Sequence, residues 1–222
     1  MQGRGNGERP ALRTGPVIVR APHRAAVNAC RALLEVYPTP LLQRAGRYPV
    51  CIWLLDRGEP VASTALLDKA ARARRWHGGA VGLEDCVGLT VPLARGLLVV
   101  APWDRPAVLR HEFGHALSAL LNPAQRRRLE HLYRAARAQD RLLVPLAGKS
   151  IGEYVACGLA HFARSATRRR LIEQDPHLAT LLAELWQLGP EPPPATPGTV
   201  RGRVLYGLRA LLRRPAATAG LA

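Results

Sequence analysis

The chain of 222 residues carries 32 Lys and Arg against 16 Asp and Glu, a formal charge of +16. A hydrophobic content of 48% is typical of globular proteins and excludes wholesale disorder. No apolar run reaches the roughly 18 residues of a membrane span, and residues 1–13 have no apolar signal core, so we expect a cytoplasmic protein. Four scattered cysteines without a CxxC pair are expected to be reduced thiols rather than metal ligands.

The predicted elements begin with a short strand at 16–19 and a helix over 22–36, which Pro38 and Pro40 end. A continuous apolar run at 50–55 predicts a strand covered on both faces. An irregular segment with a short helix at 65–75 precedes two strand-like runs, 86–91 and 96–100. Asp104 is expected to cap the next helix, which has Pro106 in its first turn and runs to about residue 121. Further helices are predicted from Asn122-Pro123 onward, over 151–165 and over 176–188.

This order predicts the domain organisation. A small mixed sheet followed by helices is an α+β arrangement, which we assign to residues 15–188. Residues 1–14 are expected to form a flexible tail. Residues 189–199 read as a proline-rich linker, and residues 200–222 as a basic amphipathic helix with a short tail.

One motif carries chemistry. His111-Glu112-Phe113-Gly114-His115 lies in the helix predicted after Asp104. Residues four apart share a helical face, so both imidazoles can bind one metal ion. Glu112 is rotated about 100° from His111, which suits a general base acting on metal-bound water. Gly114 inside a helix indicates that another element packs close to it.

A catalytic zinc site needs a third protein ligand. Its candidates downstream share ligand chemistry: Glu130, His131, Asp140, Glu153 and His161. Glu153 is favoured because the small residues Ala156, Gly158 and Ala160 let its helix pack tightly. The same glutamate could instead only be a favourable acidic residue in the first turn of that helix.

The two segments around 111–117 and 152–162 resemble a gluzincin-type zinc metallopeptidase, with a zincin-like fold. The pattern is most similar to the catalytic-domain family of anthrax lethal factor, and more loosely to the ImmA/IrrE metallopeptidases; it spans about residues 50–162. The resemblance implies His111, His115 and Glu153 as Zn²⁺ ligands, Glu112 as general base, and a peptide substrate hydrolysed by zinc-activated water. It also implies that the last strand before the motif helix borders the cleft, where a peptide adds as an extra strand.

The chain departs from that family at two positions. The acidic residue that often follows the alanine after the ligand glutamate is Cys157. The tyrosine seven residues before that glutamate, which stabilises the oxyanion in lethal factor, is matched by Leu146. Tyr154 and His161 are the remaining candidates for the stabiliser, and each could equally be a packing residue of its helix.

The excess of arginine supports a second hypothesis. A field of +16 attracts nucleic acid, anionic membrane or acidic protein, and the Arg-rich segments are 126–128, 168–170 and the region after the linker. We expect the first triplet at the start of one helix and the second at the end of another. The alternative function is therefore a catalytically silent zincin fold that binds a nucleic acid or an acidic protein.

Overall fold

The computed structural model describes residues 11–14, 17–45, 49–67, 82–93 and 96–187. Its strands are β1 (Ala11–Thr14), β2 (Val17–Arg20), β3 (Val50–Leu55), β4 (Leu89–Leu93) and β5 (Gly96–Pro102). Its helices are α1 (Arg24–Leu34), α2 (Thr39–Ala45), α3 (Pro106–Ser118), α4 (Pro123–Ala138), α5 (Ile151–Phe162), α6 (Ser165–Gln174) and α7 (Pro176–Trp186). None of these helices is long and apolar enough to cross a membrane.

The five strands form one mixed sheet in the order β1-β2-β3-β5-β4. β2, β3 and β5 run parallel to one another. Each outer strand runs antiparallel to its neighbour, β1 to β2 and β4 to β5. The expectation that the last strand before the motif helix borders the cleft is wrong, because β5 lies inside the sheet and β4 forms the edge. The chain reaches the edge first and returns inward, so strand order along the sequence does not give strand order in the sheet.

Both faces of the sheet are covered, as the apolar run in β3 predicts. Ile52 and Val99 point toward the helices and pack in the main core with α1, α3 and α5. Trp53, Leu98 and Val100 point the other way and pack with Val61 and Leu83 from the segments around the second face. One face of the sheet therefore supports α3, which packs against β5 and α5.

The start of α3 differs from the prediction. Arg105 occupies the N-cap position without a side-chain cap, and Pro106 begins the helix. Asp104 turns away instead and forms an ion pair with Arg57, at 3.3 Å between Nε and Oδ2. The proline alone sets the start, since its fixed φ suits the first helical position and its missing N–H would be unpaired there anyway.

Two helices were not predicted. Pro40, expected only to end α1, lies in the first turn of α2, where proline is tolerated. α6 begins at Ser165, so the arginines of 168–170 lie within a helix and not at the end of one. Arg168 nevertheless contacts the end of a helix, because its Nε donates to the carbonyl of Phe162 at the end of α5, at 2.6 Å. The triplet 126–128 lies near the start of α4 as predicted, and the Arg126 Nε donates to the Leu121 carbonyl after α3, at 2.8 Å.

Part of the predicted organisation lies outside the described residues. This is true of the linker at 189–199, the basic helix at 200–222 and most of the helix expected at 65–75, of which residues 65–67 form no helix. At the other end, Ala11–Thr14 pair with β2, so these four residues are not part of a flexible tail, and residues 1–10 lie outside the described residues.

Candidate metal centre

The two histidines of the motif meet on one face of α3. Their rings are nearly perpendicular, with centroids 4.8 Å apart. The Nε2 atoms of His111 and His115 lie 3.2 Å from each other, as two ligands of one metal ion would. Helical spacing alone produces this pairing, since residues four apart stand one turn above each other.

Helix α5 brings Glu153 to the same point. Its Oε2 lies 3.0 Å from His111 Nε2 and 3.7 Å from His115 Nε2. Ser150 caps α5 by accepting a hydrogen bond from the Glu153 N–H, which fixes the first turn. The approach of the helices depends on Gly114, where an added Cβ would lie 2.9 Å from the Ala156 carbonyl oxygen. The close contact predicted at this glycine is therefore confirmed.

The other candidates for a third ligand lie elsewhere. Glu130, His131 and Asp140 are exposed on or just after α4. His161 is two turns beyond Glu153 on α5, and its Nδ1 lies 2.9 Å from the carbonyl of Cys157. Among the described residues, only Glu153 brings a carboxylate to both histidines.

The three groups are electrostatically coupled. Burial raises the pKa of Glu153, but hydrogen bonds with His111 and His115 outweigh it and hold that pKa well below its usual value. Burial lowers the pKa of His111. The Glu153 hydrogen bond and the charges of Glu112 and Glu153 raise this pKa by more, so that it lies above its usual value. Glu153 is therefore an ionised carboxylate in a buried position, which favours a cation beside it.

The spacing fits a tetrahedral zinc ion. Zinc bonds of about 2.0–2.1 Å at tetrahedral angles place neighbouring ligand atoms about 3.3 Å apart. The three separations here are 3.0, 3.2 and 3.7 Å. Two imidazole nitrogens and one carboxylate oxygen are also a donor set that zinc prefers.

Cys157 offers a second, looser donor set. Its sulfur, His111 and Glu153 place ligand atoms within 4.8 Å of one another. The contact to His111, however, is to Nδ1, at 3.7 Å, on the side of the ring opposite Nε2. Burial also raises the pKa of the Cys157 thiol to about 12, and a metal binds the thiolate. We therefore place the Cys157 sulfur beside Nδ1 of His111 and not among the three converging atoms. A partner at this nitrogen can orient an imidazole that binds a metal through its other nitrogen.

Glu112 lies beside this group and is 8% exposed. Burial raises its pKa, opposed by the charges of His115 and His111 and by a hydrogen bond from Thr90. The Thr90 hydroxyl lies 2.8 Å from Glu112 Oε2 and 2.7 Å from the main-chain oxygen of Glu112. Thr90 was not predicted as a site residue, because nothing in a single sequence links it to a residue 22 positions later.

The two candidate oxyanion stabilisers make their described hydrogen bonds to other groups. The Tyr154 hydroxyl donates to Asp175 Oδ2 at 2.5 Å, and the ring is 1% exposed and lies against Tyr133. Tyr154 therefore packs in the core, and His161 bonds within its own helix. Leu146, at the position of the lethal factor tyrosine, packs against the main core. The structure brings neither candidate to the three converging atoms.

The comparisons with known proteins agree with this fold. No protein-family model matches the sequence, and a search of curated proteins finds no significant match. Among solved structures, the chain is similar to the Pro-Pro endopeptidase PPEP-2 from Paenibacillus alvei, with a TM-score of 0.54 and 18% identity. The match covers 75% of this chain and 96% of the other. The α+β, zincin-like fold class predicted from the sequence is therefore confirmed.

Proposed function

We propose that the protein is a zinc-dependent endopeptidase. The observation that carries the proposal is the convergence of His111 Nε2, His115 Nε2 and Glu153 Oε2 within 3.7 Å of one another. His111, His115 and Glu153 would hold the Zn²⁺ ion, in agreement with the gluzincin pattern of the sequence. The similarity of the fold to an endopeptidase supports the same reaction class.

Glu112 is the proposed general base. Zinc, when bound, supplies Lewis acidity and lowers the pKa of a bound water to about 7. The Glu112 carboxylate lies next in the chain to one ligand and is buried, so it can accept the proton of the attacking water and return it to the leaving amine. Its raised pKa suits this cycle, because a general base works best when its pKa lies near the operating pH.

A peptide substrate would bind along β4. Within the described residues β4 is hydrogen-bonded only to β5, so its outer edge can pair with an extended peptide. Thr90, the second residue of this strand, touches Glu112 and places the open edge beside the proposed base. Peptides that contain Pro-Pro bonds belong in the first substrate panel, because the similar solved structure is named for that bond.

Glu112→Gln tests the proposal. The amide keeps the size of the side chain but cannot accept the proton, so hydrolysis should fall by about 100- to 10,000-fold while zinc remains bound. Glu130→Gln is the matched control, since Glu130 is exposed on α4. Cleavage of a peptide library is read by mass spectrometry and zinc by elemental analysis. Full activity of Glu112→Gln would contradict the mechanism.

The alternative, a silent adaptor for nucleic acid or acidic protein, is not favoured. Several arginines of the two triplets have structural partners within the domain. Arg126 and Arg168 donate to carbonyls at helix ends, and Arg128 forms an ion pair with Glu184 at 2.6 Å. The similarity to an endopeptidase points instead to a peptide as the partner.

A further inference from the structure

The side chain of Glu112 is held by the edge strand and not only by its own helix. Thr90 Oγ1 lies 2.8 Å from Glu112 Oε2 and 2.7 Å from the Glu112 carbonyl oxygen. A hydroxyl has one proton, so it donates to one of these oxygens at a time and has the other acceptor within reach. The hydrogen bond to the ionised carboxylate is the stronger of the two. Thr90 therefore fixes the rotation of the Glu112 side chain.

Gly88 lies close to the same side chain. A Cβ at this position would lie 2.8 Å from Glu112 Cγ and 3.0 Å from Oε1, and 2.6 Å from a methyl group of Val108. Only a residue without a side chain lets the backbone before β4 pass so close to Glu112.

The two carboxylate oxygens consequently have different surroundings. Oε2 is bonded to Thr90. Among the described residues no hydrogen bond reaches Oε1, which packs close to Gly88, where an added Cβ would lie 3.0 Å away. Because a base needs a lone pair that no other hydrogen bond occupies, Oε1 is the oxygen left to take up a proton.

We propose that Thr90 is a positioning residue for the general base, holding Oε2 of Glu112 so that Oε1 accepts the proton, with Gly88 allowing the backbone before β4 to lie close to the same side chain. This inference rests on the proposed function, because it takes Glu112 as the base. It also links substrate to catalysis, since a peptide that pairs with β4 contacts the strand that orients Glu112.

Thr90→Val, with Thr90→Ser as the conservative variant, tests the role in catalysis. Valine keeps the shape and removes the hydroxyl, and a misplacement of about 1 Å can cost about 100-fold. We expect kcat to fall by about 10- to 100-fold in Thr90→Val, with KM and zinc content nearly unchanged. Thr90→Ser should recover most of kcat. Thr167→Val is the matched control, because its hydroxyl donates to a carbonyl oxygen at 2.8 Å near the end of α5 without touching a carboxylate.

A second measurement does not depend on activity. In a double-mutant cycle on the unfolding midpoint, Thr90→Val should have a smaller effect in a Glu112→Ala background than in the wild type, because the hydrogen-bond partner is already absent. Equal effects in both backgrounds, or a kcat of Thr90→Val within about twofold of wild type, would overturn the role of Thr90. If the wild type itself cleaves no peptide, the proposed function fails, and the role of Thr90 in catalysis fails with it.

Discussion

Two glutamates lie on different sides of the motif helix α3, and their pKa values shift in opposite directions. Toward α5, Glu153 meets two imidazoles, and its pKa is held well below the usual value despite burial. Toward β4, Glu112 meets a hydroxyl, and burial raises its pKa above the usual value. The pKa of one carboxylate is lowered and the pKa of the other is raised. The neighbouring groups, rather than the residue type, therefore distinguish the proposed ligand from the proposed base.

The largest effect is expected when Glu153, the carboxylate with the lowered pKa, is removed. Glu153→Ala deletes one of three proposed ligands and leaves the two histidines without their carboxylate. We expect zinc affinity to fall by more than about 100-fold. That value is the upper end of the loss seen when a hydrogen-bond partner of a metal ligand is removed. Competition with a chelator measures it, and Glu130→Ala provides the control on an exposed glutamate. Unchanged affinity in Glu153→Ala would remove Glu153 from the ligand set.

A smaller loss is expected at Cys157, which contacts His111 on the side away from Glu153. Cys157→Ala removes the partner of Nδ1 and should weaken zinc binding by about 10-fold, because partners of this kind orient the ligating ring. Cys157→Asp should bind zinc at least as tightly as the wild type, since a carboxylate accepts the Nδ1–H more strongly. Equal zinc affinity for the alanine and aspartate variants would show that the contact does not position His111.

The contact between α3 and α5 can be broken without touching a ligand. In Gly114→Ala the new methyl group would lie 2.9 Å from the Ala156 carbonyl oxygen, so one helix has to shift. We expect a loss of about 1–3 kcal/mol in the free energy of unfolding, although alanine is the better helix former. Gly152→Ala is the control, because its methyl group would meet Ser150 Oγ at an ordinary 3.6 Å. Denaturant unfolding should separate the two variants, and equal stability would mean that the helices are not in close contact.

An effect confined to alkaline pH concerns burial without charged partners. Burial alone raises the pKa of Cys30 from 9.0 to about 12, so the folded protein keeps a proton that the unfolded chain loses. This stabilisation is fully present below about pH 9 and should decline by about 1.4 kcal/mol per unit as the pH rises further. Cys30→Ala removes the contribution. Denaturant unfolding between pH 8 and 11 should therefore show a shallower decline for the variant, and parallel declines would contradict this pKa.

The sequence predicts the half of the site that depends on local spacing. His111 and His115 share a face because they are four residues apart, and Glu153 follows from the small residues that let its helix approach. Thr90 depends on long-range register instead. β4 pairs with β5 so that Thr90 lies opposite Val99, whose side chain faces the helices. Neither that register nor the position of β4 at the edge can be read from one sequence.

Tyr154 shows the same limit from the opposite direction. Its position next to Glu153 made it a candidate for the site, yet adjacent residues on a helix point about 100° apart. Tyr154 accordingly faces the core. There its hydroxyl donates a hydrogen bond to Asp175, the residue that caps the start of α7. Proximity in sequence therefore predicts a shared helix but not a shared surface.

X-ray absorption spectroscopy of the zinc-loaded protein identifies the atoms bound to the metal directly. We expect one zinc ion per chain, with two imidazole nitrogens and a carboxylate oxygen at about 2.0–2.2 Å and no sulfur. Cys157→Ala should leave the first-shell spectrum unchanged. A sulfur ligand at about 2.3 Å, or a shell with fewer than two imidazoles, would contradict the assignment of His111, His115 and Glu153.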